Sequence, residues 1–280
     1  MHAAQTQGWE ARLKLGFTRA GAHTRLSERS HSGPLRVQKA LYPEGADVCH
    51  AVLLHPPGGI AGGDSLSIAA HAGPGAHALL TTPGAGKWYR AAGRQATQEI
   101  ALRADAGAVL EWLPQETLFY DAADCAMTHD VALHGDAVYI GSEILCFGRT
   151  ASGETYASGQ VRQRTSVRRD GALLWYEQGL LRPSDGAMHS RFGLAGHTVC
   201  ATLLAAGRPL TYEEIRSLRG ALHALDAGPQ LGATQLKQML AVRYLGQSSE
   251  TAKAVLSCAW HVLRPLLAGR AASVPRLWHT

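Results

Sequence analysis

Five acidic side chains of this chain stand in surroundings where a negative charge needs a partner or water. Each has apolar or glycine-rich neighbours: Asp64, Glu111, Glu143, Glu154 and Glu177. An acid in a strand either faces solvent through the alternation of side chains or is buried and requires compensation. One interpretation is buried ion pairs with arginines such as Arg90 and Arg149. The other is an inward acidic lining, which could pass a hydrated divalent cation along weak oxygen ligands.

The strongest local feature is the segment 55–64, which reads His-Pro-Pro-Gly-Gly-Ile-Ala-Gly-Gly-Asp. Glycine pairs let backbones approach closely, and the Asp64 carboxylate can accept amide hydrogens within the turn. The segment could instead present a carboxylate, free carbonyls and His55 to a cation. Fourteen histidines are present, but the sequence has no H-x-H, H-E-x-x-H or His-rich tail. We therefore predict no high-affinity metal site.

Motifs for covalent or phosphate chemistry fail on inspection. Gly86-Lys87 would end a phosphate-binding loop only with glycine at position 81 and a hydroxyl residue at 88, where the chain has Thr81 and Trp88. No G-x-S-x-G elbow occurs. Five cysteines are widely spaced without C-x-x-C, which argues against a disulfide framework and a structural zinc site and for a reducing compartment. No catalytic site is predicted.

Charge and composition limit the partners. The net charge is +5, but Lys and Arg are spread along the chain, which favours a mildly basic surface, or one facing an acidic protein, over nucleic-acid binding. The charged fraction of 18% is low and indicates a surface partly covered by partners. The first seven residues lack the apolar core of a signal peptide, and no apolar run reaches membrane-spanning length. We expect a cytoplasmic protein without membrane contact.

The elements that must position these acids are mostly strands. Apolar side chains alternate with mostly polar ones from Trp9 to Phe17, the period of a half-buried strand. Further strands are predicted at 34–42, 47–55, 65–71, 76–82, 96–104, 108–113, 127–134, 137–147, 155–168 and 172–181. Asp170-Gly171 indicates a hairpin between the last two. No fixed period of self-similarity and no βαβ alternation is visible.

Two helices are predicted near the end of the chain. Thr211 and Glu214 form a capping box, and Gly228-Pro229 stops the helix that follows. A second helix is expected over 249–263, ended by Pro265, with returning strands in 234–245 between the helices. We expect a mainly β, many-stranded sheet assembly in a single domain, 1–280. It comprises a β-rich body, 1–208, and a part with two helices, returning strands and the C-terminal tail, 209–280.

Five ordered blocks of the sequence resemble the urease accessory protein D family, called H in some bacteria. The blocks are PPGGIAGGD at 56–64, TTPGAGKWYR at 81–90, LEWLPQE at 110–116, GRTASGE at 148–154, and the close of the chain at 263–280. They cover roughly residues 9–280. The family usually has Ala-Thr-Lys where this chain has Ala85-Gly86-Lys87, so a hydroxyl is missing at position 86.

The resemblance implies a mostly β fold with two helices, no catalytic activity, no tightly bound cofactor, and nickel only in transit. It also implies a complex with accessory proteins F and G, G being the GTPase, that docks on apo-urease. Nickel would pass from G through F and then through an internal channel of this protein. The acids named above, with His55, are the candidates for that path.

The partner surface is expected at the C-terminal helices and tail, where Arg276 and Trp278 would contact F. Packing of Trp278 onto its own sheet is the alternative. Two other function classes stay open at this point. A metal-dependent hydrolase on a β-scaffold would need His and carboxylate ligands to converge in one pocket. A nucleic-acid-binding module would need a basic face with exposed aromatic side chains.

Overall fold

The protein, described for residues 8–279 by a computed structural model, is mainly β and forms a single domain, as predicted. The first seven residues, which bear on the expected absence of a signal peptide, and Thr280 lie outside the described range. The strands are β1 Glu10–Ala20, β2 His23–Ser32, β3 Arg36–Leu41, β4 Val48–Leu54, β5 Ser65–Ala72, β6 His77–Thr81, β7 Gly86–Trp88, β8 Ala96–Ala104, β9 Val109–Trp112, β10 Thr117–Phe119, β11 Asp124–Leu133, β12 Val138–Phe147, β13 Gln160–Arg169, β14 Ala172–Leu181, β15 Val199–Ala206, β16 Leu231–Leu236 and β17 Met239–Gly246. The helices are α1 Tyr212–His223 and α2 Ser249–Ala268, and short 3-10 turns lie at Thr150–Ser152, Pro183–Asp185 and Arg276–His279.

The strands form two facing sheets. Sheet A has the order β14-β13-β11-β8-β5-β1-β2. Sheet B has the order β16-β17-β15-β12-β9-β6-β4-β3, and the short strands β7 and β10 pair beside β12. From β4 to β13 the chain winds between the sheets, so that neighbouring strands within each sheet are parallel: Val48 pairs with His77, His77 with Val109, and Val109 with Val138. Parallel strands need a crossover, which is here a strand of the opposite sheet rather than a helix.

Two hydrophobic cores follow from this layering. The alternation predicted for β1 is confirmed from Ala11 to Phe17, since Ala11, Leu13, Leu15 and Phe17 are all buried between the sheets, whereas Trp9 precedes the strand and is exposed. A second core fills the space between the outer face of sheet B and the two helices. Sheet A has one buried face and sheet B is covered on both sides.

The helix boundaries are set by recognisable caps. The capping box that begins α1 is confirmed: Glu214 N donates to Thr211 Oγ1 at 3.3 Å, and Thr211 N donates to Glu214 Oε2 at 2.8 Å. The prediction that Pro265 ends α2 was wrong. Pro265 lies inside the last turn, where its missing N–H costs one hydrogen bond, and the helix ends at Gly269 in the left-handed conformation. None of the helices in the described residues has both the length and the apolar character that crossing a membrane requires.

Candidate metal-transit site

A cavity of about 370 Å³ lies between the two sheets. Its walls are mostly apolar, with side chains such as Leu66, Ile100 and Trp112. One end is lined by the loops 55–60 and 82–87, which include the exposed residues Gly58 and Gly84. This end, which we call the loop mouth, lies at the surface, whereas the other end reaches the side chains of β12 and β13.

Glu143 is the one carboxylate among the described residues that line this cavity. It points inward from β12, and Gln163 Nε2 on β13 donates to its two oxygens at 2.7 and 2.6 Å. Burial raises the pKa of Glu143, the Glu177 charge adds to the effect, and the Gln163 hydrogen bonds oppose it, which leaves the pKa at about 7. The carboxyl group therefore changes its charge near neutral pH.

Two imidazoles line the same cavity, His55 near the loop mouth and His129 beside Glu143. Burial lowers the pKa of His55, although Asp64 opposes the shift. Burial lowers the pKa of His129 to about 4, against the influence of Asp130. Both rings are thus neutral at pH 7, the form in which a ring nitrogen can bind a metal ion. The Tyr139 hydroxyl lies 3.2 Å from His129 Nε2.

A second, smaller void shares His129 and Glu143 with this cavity. It has a volume of about 20 Å³ and is also lined by Thr165, Thr202 and Glu177. Glu177 on β14 is half-buried, and Arg243 Nη2 on β17 donates to its Oε2 at 2.5 Å. Because β14 and β17 lie at the same end of the two sheets, the ion pair marks a second, surface end of the lining. We call it the edge mouth.

Asp64 holds the loop together. Its two carboxylate oxygens accept hydrogen bonds from Trp9 N and Ala61 N, each at 2.8 Å. Close approach explains a neighbouring glycine, since a Cβ on Gly62 would lie 1.9 Å from the Ala91 carbonyl oxygen. Asp64 is outside the cavity lining, although it lies in the loop that forms one side of the mouth.

Glu111 is fully buried in a network of ionic hydrogen bonds. Trp260 Nε1 donates to its Oε2 at 2.6 Å, His77 Nε2 is 2.6 Å from its Oε1, and Arg264 Nε donates to the same oxygen at 3.0 Å. Arg264 also bonds both oxygens of Glu44, at 2.6 and 2.9 Å. The network ties α2 to sheet B and to the β3–β4 loop. It places Glu111 in ion pairing rather than in the cavity lining.

The three remaining candidates lie nearer the surface. Arg149 Nε donates to Glu154 Oε2 at 2.6 Å. Trp278 packs on Trp260 with ring centroids 5.7 Å apart, and its Nε1 donates to Thr81 Oγ1 at 2.9 Å. The alternative of inward packing therefore describes the Trp278 ring. Arg276 is exposed.

Comparison with known proteins decides the family. A family model described as UreD urease accessory protein matches residues 10–279. The urease accessory protein UreD of Janthinobacterium sp. (strain Marseille) is 58% identical over 97% of this chain and 92% of its own length. That of Nitrosospira multiformis is 50% identical over 96% and 97%, and that of Azoarcus sp. is 49% identical over 100% and 97%. The chain belongs to the UreD urease accessory protein family.

Three of the five blocks that resemble the UreD family line the cavity. The blocks at 56–64 and 81–90 supply the loop mouth, and the block at 110–116 supplies Trp112 and Gln115. The closing block supplies Arg264 to the buried network. In the UreD fold, three of the motifs that stand out in the sequence therefore surround the cavity between the sheets.

Sequence reasoning missed the polar neutral residues of the site, His129 and Gln163. Both lie at inward positions of their strands, between buried apolar neighbours such as Val131 and Val161. A polar side chain at an inward position is the signal that could have identified them. Among residues 8–279, no group of three or more His, Cys, Asp and Glu side chains is arranged to hold a metal ion.

Proposed function

We propose that this chain passes nickel into apo-urease through the space between its two sheets and catalyses no reaction of its own. The observation that carries the proposal is that Glu143 lines both the cavity that His55 lines near the loop mouth and the small void that Glu177 lines at the edge mouth. Membership of a family named for urease accessory proteins supports the assignment to urease maturation.

Few groups along this route can bind the ion, and they are of two kinds, imidazole and carboxylate. Neutral imidazole suits a borderline cation such as nickel, and single carboxylates bind it weakly. Each ligand holds the ion only briefly, because retained waters supply the rest of its coordination shell. Such sites favour passage over storage. The remainder of the wall is largely apolar, and its two cations among the described residues are Lys87 at the loop mouth and Arg164, which is paired with Asp130.

The proposal includes accessory proteins F and G as the source of nickel and the cytoplasm as its place. All five cysteines are free thiols, which fits a reducing compartment. F would dock next to the loop mouth. The tail lies there, since Trp278 bonds Thr81, and Lys253 Nζ bonds both Gln115 Oε1 at 2.7 Å and the Trp278 carbonyl at 3.1 Å.

The first test is the pH dependence of urease activation by wild type and Glu143→Gln. With a Glu143 pKa of about 7, the carboxylate fraction grows as the pH rises through 7, and the charged form binds the cation. Wild-type activation should therefore increase relative to Glu143→Gln between about pH 6 and about pH 8. The ratio of the two rates cancels the pH dependence of the other proteins. Glu250→Gln, on the surface of α2, is the matched control, and a flat ratio would count against the route.

A second test concerns the C-terminal surface that would bind F. Because Arg276 is exposed beside the inward-packed Trp278, Arg276→Glu should lower the affinity for purified F several-fold, mainly through the association rate. Arg216→Glu on α1 controls for the change in net charge. Truncation after Arg270 should abolish F binding; full binding by the folded, truncated protein would place F elsewhere.

A further inference from the structure

Exposed apolar side chains concentrate in one segment of the chain. Four of the ten large hydrophobic side chains exposed among residues 8–279 fall between positions 173 and 192: Leu173, Tyr176, Leu180 and Phe192, which are 50%, 50%, 39% and 92% exposed. We call these four residues the apolar face. Three of them lie on β14 and Phe192 follows in the next loop; exposed apolar side chains of this kind are typical of contact with a partner.

Phe192 is presented by an ordered loop between β14 and β15. Met188 and Leu194 are buried and anchor it. Leu194 N donates to the Ala187 carbonyl at 3.0 Å, and Gln247 Nε2 donates to the Gly196 carbonyl at 3.0 Å. A loop whose backbone is held before binding loses little conformational entropy when a partner covers it. The loop therefore presents the exposed Phe192 ring on a pre-organised backbone.

A cation accompanies the ring. Arg191 lies over Phe192, with the guanidinium carbon 5.4 Å from the ring centroid. Within the described part of the chain, this is the only ion pair, hydrogen bond or ring contact of the Arg191 side chain. Aromatic and arginine side chains together are typical of the residues that carry most of the energy of an interface. An apolar pocket rimmed by a carboxylate would match this pair.

The strand before the loop is an open edge. β14 is the outermost strand of sheet A, and no backbone hydrogen bond joins its free side to another segment in residues 8–279. Proteins protect exposed edges with lysine, proline, β-bulges or inward charges. β14 contains no lysine or proline, but its pairing with β13 shifts register near Leu173, and its single charge, Glu177, is bound to Arg243. The regularly paired stretch from Trp175 to Leu181 can accept an added strand.

The position of Glu177 bears on which partner would dock here. Glu177 lies on β14 itself, at the edge mouth, whereas the tail that would bind F lies at the loop mouth. A partner on the β14 edge would therefore meet the ion as it leaves. We propose that apo-urease docks on the apolar face, with Phe192 in an apolar pocket and an extended segment along β14. The assignment of this surface to apo-urease, the acceptor, rests on the proposed function.

The experiment measures docking without transfer. Wild type, Phe192→Ala, Tyr176→Ala and a control, Tyr212→Ala, are each titrated with nickel-free apo-urease and, separately, with F. Tyr212 is 75% exposed on α1, away from sheet A, so it matches the loss of an exposed ring. Phe192→Ala should weaken binding to apo-urease about tenfold or more, with F binding unchanged. A thermal melt checks that each variant is folded, and the exposure of Phe192 makes unfolding unexpected.

The outcomes separate the surface from the route. Unchanged affinity of Phe192→Ala and Tyr176→Ala for apo-urease would overturn the surface while leaving the route intact. If Phe192→Ala weakens binding to F instead of binding to apo-urease, the assignment of this surface to the acceptor is wrong. If Tyr212→Ala loses as much affinity for apo-urease as Phe192→Ala does, the loss is not specific to the apolar face. If Phe192→Ala loses docking while variants of Glu143 and Glu177 activate fully, the surface stands and the route fails.

Discussion

Urease activation should fall about tenfold or more in the double variant Glu143→Ala, Glu177→Ala, the scale on which metal affinity drops when supporting groups are removed. These two carboxylates line the same narrow void, so removing both leaves that stretch without an acid. Each single variant should lose only a modest part of the activity, because a hydrated ion can bypass one missing ligand. The loss should therefore exceed the product of the single losses.

The measurement is urease activity and bound nickel in a strain that lacks the native gene and carries each variant. A matched control is Glu154→Ala, Glu213→Ala, which removes two carboxylates from surface ion pairs. Both double variants should still copurify with F and apo-urease. Full activation by the Glu143, Glu177 pair would show that nickel does not use the space between the sheets.

Most strands were predictable because their cause is local. Side-chain alternation gave the strands 96–104 and 172–181 with their observed bounds. The hairpin signal at Asp170-Gly171 is also confirmed, since both residues have positive φ, as a tight two-residue turn requires. Four strands were not predicted: β2, β7, β10 and β15. Two of these have only three residues, too few for a period to appear.

The winding of the chain was not predictable from repetition. Successive strands of each sheet bury the same face. The loops between them differ in length and content, so the sequence shows no fixed period. The 56–64 loop shows one reason. Its glycines are required by local contacts, such as the close approach of Gly62 to the Ala91 carbonyl. These contacts are particular to this loop.

The sequence did not reveal which residue would be the partner of each candidate acid. That some would form ion pairs was expected, and Glu154 does pair with nearby Arg149. Glu111 instead pairs with Arg264, 153 positions away. The partners of Glu143 and Glu177, Gln163 and Arg243, also come from other strands. A contact across the sheets depends on strand order, which a single sequence does not reveal.

The network around Arg264 should matter for stability rather than for transit. Burial alone would raise the pKa of Glu44, but hydrogen bonds from His50 and Arg264 outweigh it and lower the pKa to about 2. Burial likewise opposes ionisation of Glu111, yet the hydrogen bond from His77, with the charges of His77 and Arg264, lowers its pKa. Both carboxylates are therefore ionised at neutral pH and depend on the guanidinium between them.

Arg264→Met should lower the free energy of unfolding by about 3–5 kcal/mol, because it leaves two buried carboxylates without their shared cation. The matched change Arg216→Met breaks an exposed pair with Glu213 and should cost at most about 1 kcal/mol. Denaturant unfolding at neutral pH measures both. Equal effects of the two changes would mean that the buried network contributes no more than a surface ion pair.

Acid should remove the same contribution. Since the folded-state pKa values of Glu44 and Glu111 lie below the unfolded value of 4.5, the stabilisation is complete above about pH 4.5 and is lost as the pH falls towards 2. The wild type should therefore lose stability more steeply over this range than Arg264→Met, in which the guanidinium no longer favours the charged carboxylates, although His50 and His77 still do. Because Glu111 and Arg264 lie outside the cavity lining, the fraction of Arg264→Met that stays folded should activate urease at the wild-type rate per molecule. A lower rate per folded molecule would instead assign the network a part in the transfer.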